Sequence, residues 1–425
     1  MNTEGKQTKN IILLGSGYVA RLCAEYLVRN PANEVTIALS ESLPHTTPIS
    51  LDVSNAAELE RQVATHDLVI SLIPYTYRAD VIKAVIKGKT DSVVMTSSIS
   101  SAMRELHPAA KEAGIIVLNE IGLDPGIDHL YAVKTIDEVH EQGEKIKKFF
   151  TYCSGLPSPQ HASKFQPPRL QILLVILSQT VSVSGDKLMG EAKPYYISPA
   201  YAFVAYPNRD STPFRKWYNI NREGEGETVV RGTLRYQGFP EFIKALVDLG
   251  WLDATEKDWL VSDLIWKQIV AIAKFPDESE KTRIISGLRW IGFFSDEKII
   301  PRAAENAKHA NLLDTLCVRL ELLMKCDDGE RDFVMLQHKF VVSWPDGREE
   351  VRTSTLEAYG APFGSGYSAM AQTVGVPCGI ATQLVLDGAW KGKVLGVTTP
   401  YTKEICDPIR ERLEKEGLGM VERIL

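Results

Sequence analysis

The sequence predicts an α/β protein: a doubly wound parallel sheet, then a second α/β domain that carries an inserted helical subdomain. Three observations point there. Short apolar runs alternate with helical patterns over residues 10–120, the alternation breaks at Asp124-Pro125-Gly126, and later sheet-like runs flank a largely helical block. Strands separated by helices at this spacing pair in parallel and are buried on both faces.

The five predicted strands are Asn10–Gly15, Glu34–Leu39, Leu68–Ile73, Ser92–Met95 and Ile115–Leu118, with helices at Val19–Asn30, Ala56–Ala64 and Ala79–Gly88. At Asp124-Pro125-Gly126, Pro in the second and Gly in the third place suit a type II turn. A helix then follows, with Ile127, Leu130, Tyr131, Val133, Ile136 and Val139 on one face and Gly143 at its end. Sheet-like runs resume from Lys145 (KKFFTYC, YAFVAYP, TVVRGTLRYQG), and Pro240 to about Cys326 reads as helical. Pro345-Asp346-Gly347 turns one strand into another, and the remainder from Ser368 reads as helical and returns to the first domain. The domains are accordingly placed at 1–125 with a return at 390–425, at 126–239 with 327–389, and at 240–326.

A chain of 425 residues exceeds one compact core. Apolar residues at 44% and charged residues at 24% are ordinary for a globular protein. A net charge of −6 argues against a general nucleic-acid or anionic-membrane surface, so no such partner is expected. The most apolar run, Leu170–Leu177, is far shorter than the ~20 residues a spanning helix needs. Six cysteines without a CxxC pair, and a polar start, point to a cytoplasmic chain with no zinc site or disulfide framework.

Between the first strand and the first helix, Gly15-Ser16-Gly17-Tyr18-Val19-Ala20 forms GxGxxA. The first glycine permits a tight turn, the second lets backbone approach a pyrophosphate, and Ala20 lets helix and strand pack closely, which is the Rossmann dinucleotide signature. After the second strand stand Ser40, Glu41 and Ser42, with no basic residue. Glu41 would suit a ribose hydroxyl and repel a 2′-phosphate, so this local chemistry leans towards NAD; a Glu41 turned to solvent would decide nothing.

Longer blocks carry a more specific signal: SLIPYTY (71–77), NEIGLDPGIDHLYAVKTIDEVH (119–140), YPNRDSTPF (206–214), VVRGTLRYQGFPEFIKALVD (229–248), LDTLCVRLELLM (313–324), FVMLQHKF (333–340) and GYSAMAQTVGVP (366–377). In this order they resemble the saccharopine reductases of the fungal lysine pathway over most of residues 10–410. The resemblance implies a homodimer with a Rossmann domain, an α/β domain for substrate and dimerisation, and a helical insertion. It implies condensation of α-aminoadipate semialdehyde with L-glutamate and reduction by NADPH to saccharopine.

It also implies site residues. Gly15, Ser16, Gly17, Tyr18, Val19, Asp52, Val53, Ile73, Ser97, Leu123, Asp124 and Pro125 would line the cofactor site; Ser97, Ser98, Asp124 and Arg231 would meet substrate; Asp124 and Cys153 would stand at the reacting centre. The chemistry agrees in part. A product with three carboxylates calls for fixed guanidinium charge, and Arg231 and Arg235, four apart in a strand, share a face. A carboxylate at Asp124 could orient a cationic amine or iminium, or else simply cap its turn. Arg209 could equally anchor its own loop, and His129 reads as packed on its helix.

The chain departs from the family in three places. The connection after the second strand is short and lacks the basic residue. Ser98 stands where the family has a substrate-contacting tyrosine. Within residues 162–185 the chain reads Ala162 followed by SKFQPPRLQILLVILSQTVSVSG around Pro167-Pro168, a poor helix former that suits a shifted reading frame or misplaced splice site. Two further readings follow: a related imine reductase with another substrate, or a non-catalytic homologue that binds cofactor or dimerises.

Overall fold

The computed structural model describes residues 8–15, 17–38, 44–90, 92–159, 172–176, 179–184, 187–266, 278–303 and 307–425, and of 172–176, 179–183 and 278–283 the backbone alone. In chain order the strands and first helices are β1 (Lys9–Leu14), α1 (Tyr18–Leu27), β2 (Asn33–Ala38), β3 (Thr46–Ile49), α2 (Ala56–Val63), β4 (Leu68–Ser71), α3 (Arg78–Gly88), β5 (Ser92–Met95), α4 (Ser101–Glu105), α5 (His107–Glu112), β6 (Ile116–Leu118) and α6 (Ile127–Glu141). Then come β7 (Lys145–Pro157), β8 (Ile172–Ile176), β9 (Gln179–Val183), β10 (Lys193–Tyr195), β11 (Phe203–Pro207), α7 (Phe214–Trp217), β12 (Thr228–Tyr236) and α8 (Phe239–Asp248). The last strands are β13 (Asp332–Ser343), β14 (Glu349–Tyr359), β15 (Gly396–Thr398) and β16 (Val421–Ile424). Two compact units divide the chain: Met1–Gly155, Phe214–Gly226 and Asp332–Leu425 form one, Leu156–Pro213 and Glu227–Arg331 the other.

In the first unit a seven-stranded parallel sheet runs in the order β15-β6-β5-β4-β1-β2-β3. Leu13 of β1 stands opposite Ile37 of β2 and Ile70 of β4. Strands β4 and β5 are buried at every residue, as a sheet covered on both faces requires. The predicted strands fall within a residue or two of these bounds. Sequence reasoning missed β3, a short strand that tolerates Pro48 because it is last in the sheet and, among the described residues, pairs with β2 alone. It also missed β15, three residues long, which closes the opposite side beside β6.

A second sheet of the same unit places β7, β13, β14 and β16 side by side, with β13 and β14 paired from Phe333↔Tyr359 to Ser343↔Glu349. Gly347 (φ 86°) sits in the turn that Pro345-Asp346-Gly347 predicts. The helix Ala369–Leu386 is long and apolar enough to cross a membrane by length and composition, yet 72% of it is buried inside the protein. It packs on α1 through Gly375, where a Cβ would stand 2.8 Å from the Val19 carbonyl oxygen. Helix α6 is buried beyond its predicted face: Asp128, His129 and Thr135 are enclosed as well.

In the second unit β10, β11 and β12 are antiparallel neighbours, and β8 pairs with β12 at Val229↔Val175 and with β9. Of the departing stretch at 162–185 the described residues are those of the antiparallel pair β8 and β9 with Ser184; the remainder, Pro167-Pro168 included, lies outside the described residues. Over its described residues the predicted helical block is less helical than expected. Among its described residues the helices are α8, Glu278–Ile291 and Leu312–Leu323. Gly250 (φ 76°) ends α8, and Asp253 then accepts the Thr255 N–H at 2.8 Å, a local bond that competes with helix. Trp251, Trp266 and Phe293 stack there as an aromatic core.

Candidate functional site

The parallel sheet changes its direction of winding between β1 and β4: the chain proceeds from β1 outward to β3, then crosses back to β4. The carboxyl ends of the strands on either side of such a point leave a crevice for a ligand. The two glycines of the β1–α1 turn serve it in opposite ways. Gly15 has φ 135°, and a Cβ there would stand 3.0 Å from the Leu72 carbonyl oxygen, so protein crowds it. Gly17 has φ −79°, and among the described residues a Cβ there would meet nothing within 4 Å. Here the small residue keeps open space open. Gly17 caps α1 without any side-chain bond, and Tyr18 beside it is 80% exposed. The first N–H groups of α1 therefore face a gap suited to an anion. Ala20 is buried and Val19 half-buried in the same turn. Ser16 lies outside the described residues, as do Ser40, Glu41 and Ser42, the residues on which the NAD reading turned.

The next loops carry the other expected contacts. Ile73 follows β4, Ser97 and Ser98 follow β5, and Leu123 and Asp124 follow β6, all at the same carboxyl edge. The Ser97 Oγ is buried and finds no hydrogen-bond partner among the described residues, and nor does the Oγ of Ser71 at the end of β4. Orphaned buried hydroxyls beside an open anion-binding turn fit a dinucleotide that would supply their partners. Ser98 is exposed. Asp52 and Val53 follow the edge strand β3. Asp52 is exposed and accepts from the Ser54 hydroxyl at 2.6 Å and the Ser54 N–H at 2.9 Å, which together hold its carboxyl below the ordinary range.

The Asp124 corner is wound tightly. The Ile121 N–H donates to Met95 at 3.1 Å, Gly122 to Pro125 at 3.0 Å, Ile127 to Gly122 at 2.9 Å and Asp128 to Leu123 at 3.1 Å. The corner is not the type II turn expected. Gly126 has φ 149° and ψ −94°, far from the left-handed bridge conformation of such a turn, because it caps α6 while lying against Gly122. The Asp124–Pro125 peptide bond is cis.

Below the corner is a polar cluster that sequence reasoning missed, apart from the packing of His129. The His129 Nε2 lies 3.0 Å from Glu120 Oε2, and its Nδ1 lies 2.6 Å from the Tyr218 hydroxyl and 3.4 Å from Asp128 Oδ2. Tyr401 donates to Glu120 at 2.6 Å, and the other Asp128 oxygen accepts the Gly126 N–H at 2.6 Å. Glu120, Asp128 and His129 are buried. No local signal pairs residues 120, 218 and 401; only the unusual polarity of α6's first turn hinted at partners.

Cys153 is buried on β7, beside Tyr152, whose phenol burial pushes up to about 12. In the second unit, Arg231 is fully buried on β12, its N–H bonded to the Ser211 Oγ at 2.9 Å. Arg235 lies with its guanidinium 5.2 Å from the Phe239 ring centre, and Arg209 bonds its neighbour Asn208 at 3.3 Å.

Fold and crevice together define a dinucleotide-binding protein of the Rossmann class. Residues 11–118 match the saccharopine dehydrogenase NADP binding domain, and residues 122–418 match the saccharopine dehydrogenase C-terminal domain. The chain belongs to the saccharopine dehydrogenase family. It is 48% identical to the saccharopine dehydrogenase (NADP(+), L-glutamate-forming) of Pyricularia oryzae over 461 positions, covering 98% of this chain and 99% of that one. Since 461 aligned positions exceed the 425 residues here, that relative carries residues with no counterpart in this chain. The apo histidine-tagged saccharopine dehydrogenase (L-Glu forming) from Saccharomyces cerevisiae superposes with a TM-score of 0.87 at 46% identity, covering 98% of this chain and 100% of that one. A homospermidine synthase from Legionella pneumophila in complex with NAD, at TM-score 0.51, 11% identity and coverage of 98% of this chain and 91% of that one, shares the fold.

Proposed function

We infer that this chain is an NADP-dependent saccharopine dehydrogenase of the L-glutamate-forming kind, an oxidoreductase acting on a CH–NH bond. One observation carries the reading: a glycine turn held open at Gly17, beside the orphaned hydroxyls of Ser71 and Ser97, in a chain nearly half identical to that enzyme along its whole length. Bound NADPH supplies the hydride that reduces the imine formed from the semialdehyde and the glutamate amine. The protein binds and orients. The α1 N-terminus holds the pyrophosphate, while Ile73, Ser97 and Leu123 bound the crevice. NADP is preferred to NAD because the relatives that carry this architecture are named for NADP(+).

Asp124 is assigned to the substrate nitrogen, favouring its charged form. Arg231 is assigned to a substrate carboxylate, on the resemblance of its strand and on its burial, which strengthens a charged hydrogen bond. Cys153 is assigned to the substrate's surroundings as a buried thiol. We place the enzyme in the cytoplasm, where six free cysteines stay reduced, and as a homodimer, to which the exposed Val421 and Ile424 of the outermost strand β16 lend support.

Purified protein should oxidise NADPH when given the semialdehyde and glutamate, and reduce NADP with saccharopine. Cofactor binding without turnover would overturn the reading in favour of a non-catalytic homologue. Arg231→Ala should weaken substrate binding by ~1.5–3 kcal/mol, read as a raised KM for saccharopine; an unchanged KM removes Arg231 from the site.

A further inference from the structure

The Asp124 corner enters at Glu120, at the end of β6, and leaves at Gly126–Asp128, at the start of α6. One imidazole spans entry and exit. His129 Nε2 lies 3.0 Å from Glu120 Oε2, close enough for charge attraction though not aligned as a hydrogen bond, and its Nδ1 lies 3.4 Å from Asp128 Oδ2, while Asp128 accepts the Gly126 N–H at 2.6 Å. Two tyrosines from distant parts of the chain fix the brace from outside: Tyr218 on Nδ1 at 2.6 Å and Tyr401 on the Glu120 carboxylate at 2.6 Å. Tyr401 is itself stacked on Trp217 (ring centres 5.3 Å, planes 16° apart), which carries the Arg104 guanidinium on its ring at 5.3 Å.

Glu120 has φ 61°, a left-handed conformation that a non-glycine residue enters at a cost and keeps only when its surroundings over-determine it. Two carboxylates are enclosed here with His129. Burying such groups is unfavourable unless each is bonded, so the arrangement costs stability that a plain apolar packing would not. Strain and buried charge at the two ends of one short loop, on the carboxyl edge of the parallel sheet, mark a device that fixes geometry.

We propose that Glu120, His129, Tyr218 and Tyr401 are positioning residues for the reaction, a buried brace that sets the direction of the Asp124 carboxylate. The inference rests on the reading that Asp124 meets the substrate. It predicts that loosening the brace is felt only through Asp124. Glu120→Gln and Tyr401→Phe should each lower kcat/KM for saccharopine roughly tenfold or more, as expected for loss of a charged hydrogen bond, while the Kd for NADPH from fluorescence titration stays within twofold. Glu120→Asp, which keeps the charge, should recover part of the loss at limiting saccharopine.

In an Asp124→Asn background the brace substitutions should cost little more, because what they orient is already gone. Losses that multiply with Asp124→Asn, or that track a fallen melting temperature and weakened NADPH binding, would overturn the brace. Tyr401→Phe keeps the ring on Trp217 and carries the test if Glu120→Gln does not fold. If Asp124→Asn alone leaves kcat/KM unchanged, the Asp124 assignment itself fails, a result separate from any brace variant.

Discussion

Two corners stand on the same rim of the parallel sheet and are built in opposite ways. Among its described residues the β1–α1 turn is made almost wholly of backbone: two glycines, a helix start, and no capping side chain. The corner after β6 is made of side chains drawn from Glu120, Asp128, His129, Tyr218 and Tyr401. A pyrophosphate needs only N–H groups and room, which a short run of sequence supplies by itself. A reacting nitrogen needs a carboxylate at a set angle, and one local segment cannot hold that angle against solvent.

That contrast can be broken most forcefully at Gly126, where a Cβ would overlap the Gly122 backbone at a φ of 149°. Gly126→Ala should destabilise the protein by about 3 kcal/mol, seen as a lowered urea midpoint. A midpoint like the parent's would show that the second corner has slack. Gly375→Ala tests whether the first corner is as self-contained as it looks. Pressing the Ala369–Leu386 helix against the Val19 carbonyl should cost about 1–3 kcal/mol and weaken NADPH binding. If stability falls with no change in NADPH affinity, the turn is indifferent to the helix behind it. The smallest effect on stability belongs to Gly17→Ala, expected within about 0.5 kcal/mol because none of the described residues lies near the new methyl. NADPH affinity should nonetheless drop, and an unaltered titration would mean the space is not where the cofactor lies.

The same contrast explains what could be read in advance. Buried strands such as Leu68–Ser71 and Ser92–Met95 announce themselves by continuous apolar residues, and GxGxxA is a local pattern with a local cause. Thr46–Ile49 was invisible because an edge strand carries neither continuous apolarity nor strict alternation, and Pro48 argues against it. Asp124 could be singled out by its place after the last predicted strand, but its turn was misjudged because Gly126 answers to Gly122 and α6 as much as to Pro125. The partners of His129 were beyond reach, since contacts from residues 218 and 401 exist only after the chain has folded. Arg231 was legible as chemistry, an arginine in a strand for a multiply anionic substrate, whereas its complete burial follows from packing that no window of sequence contains.

The order in which these parts are made has its own consequence. Strand β15 covers the outer side of β6, bonding Gly396 to Ile115 and Asn119 to Thr398, and Tyr401 follows within three residues. A ribosome therefore delivers the first six strands long before the piece that seals them. During that interval β6 offers an unpaired edge to any passing chain, and Glu120 waits for its hydroxyl donor. Cover for the β6 edge and, under the proposed brace, the partner that orients Glu120 thus arrive together, so a product released before Gly396 would lack both and be prone to aggregate.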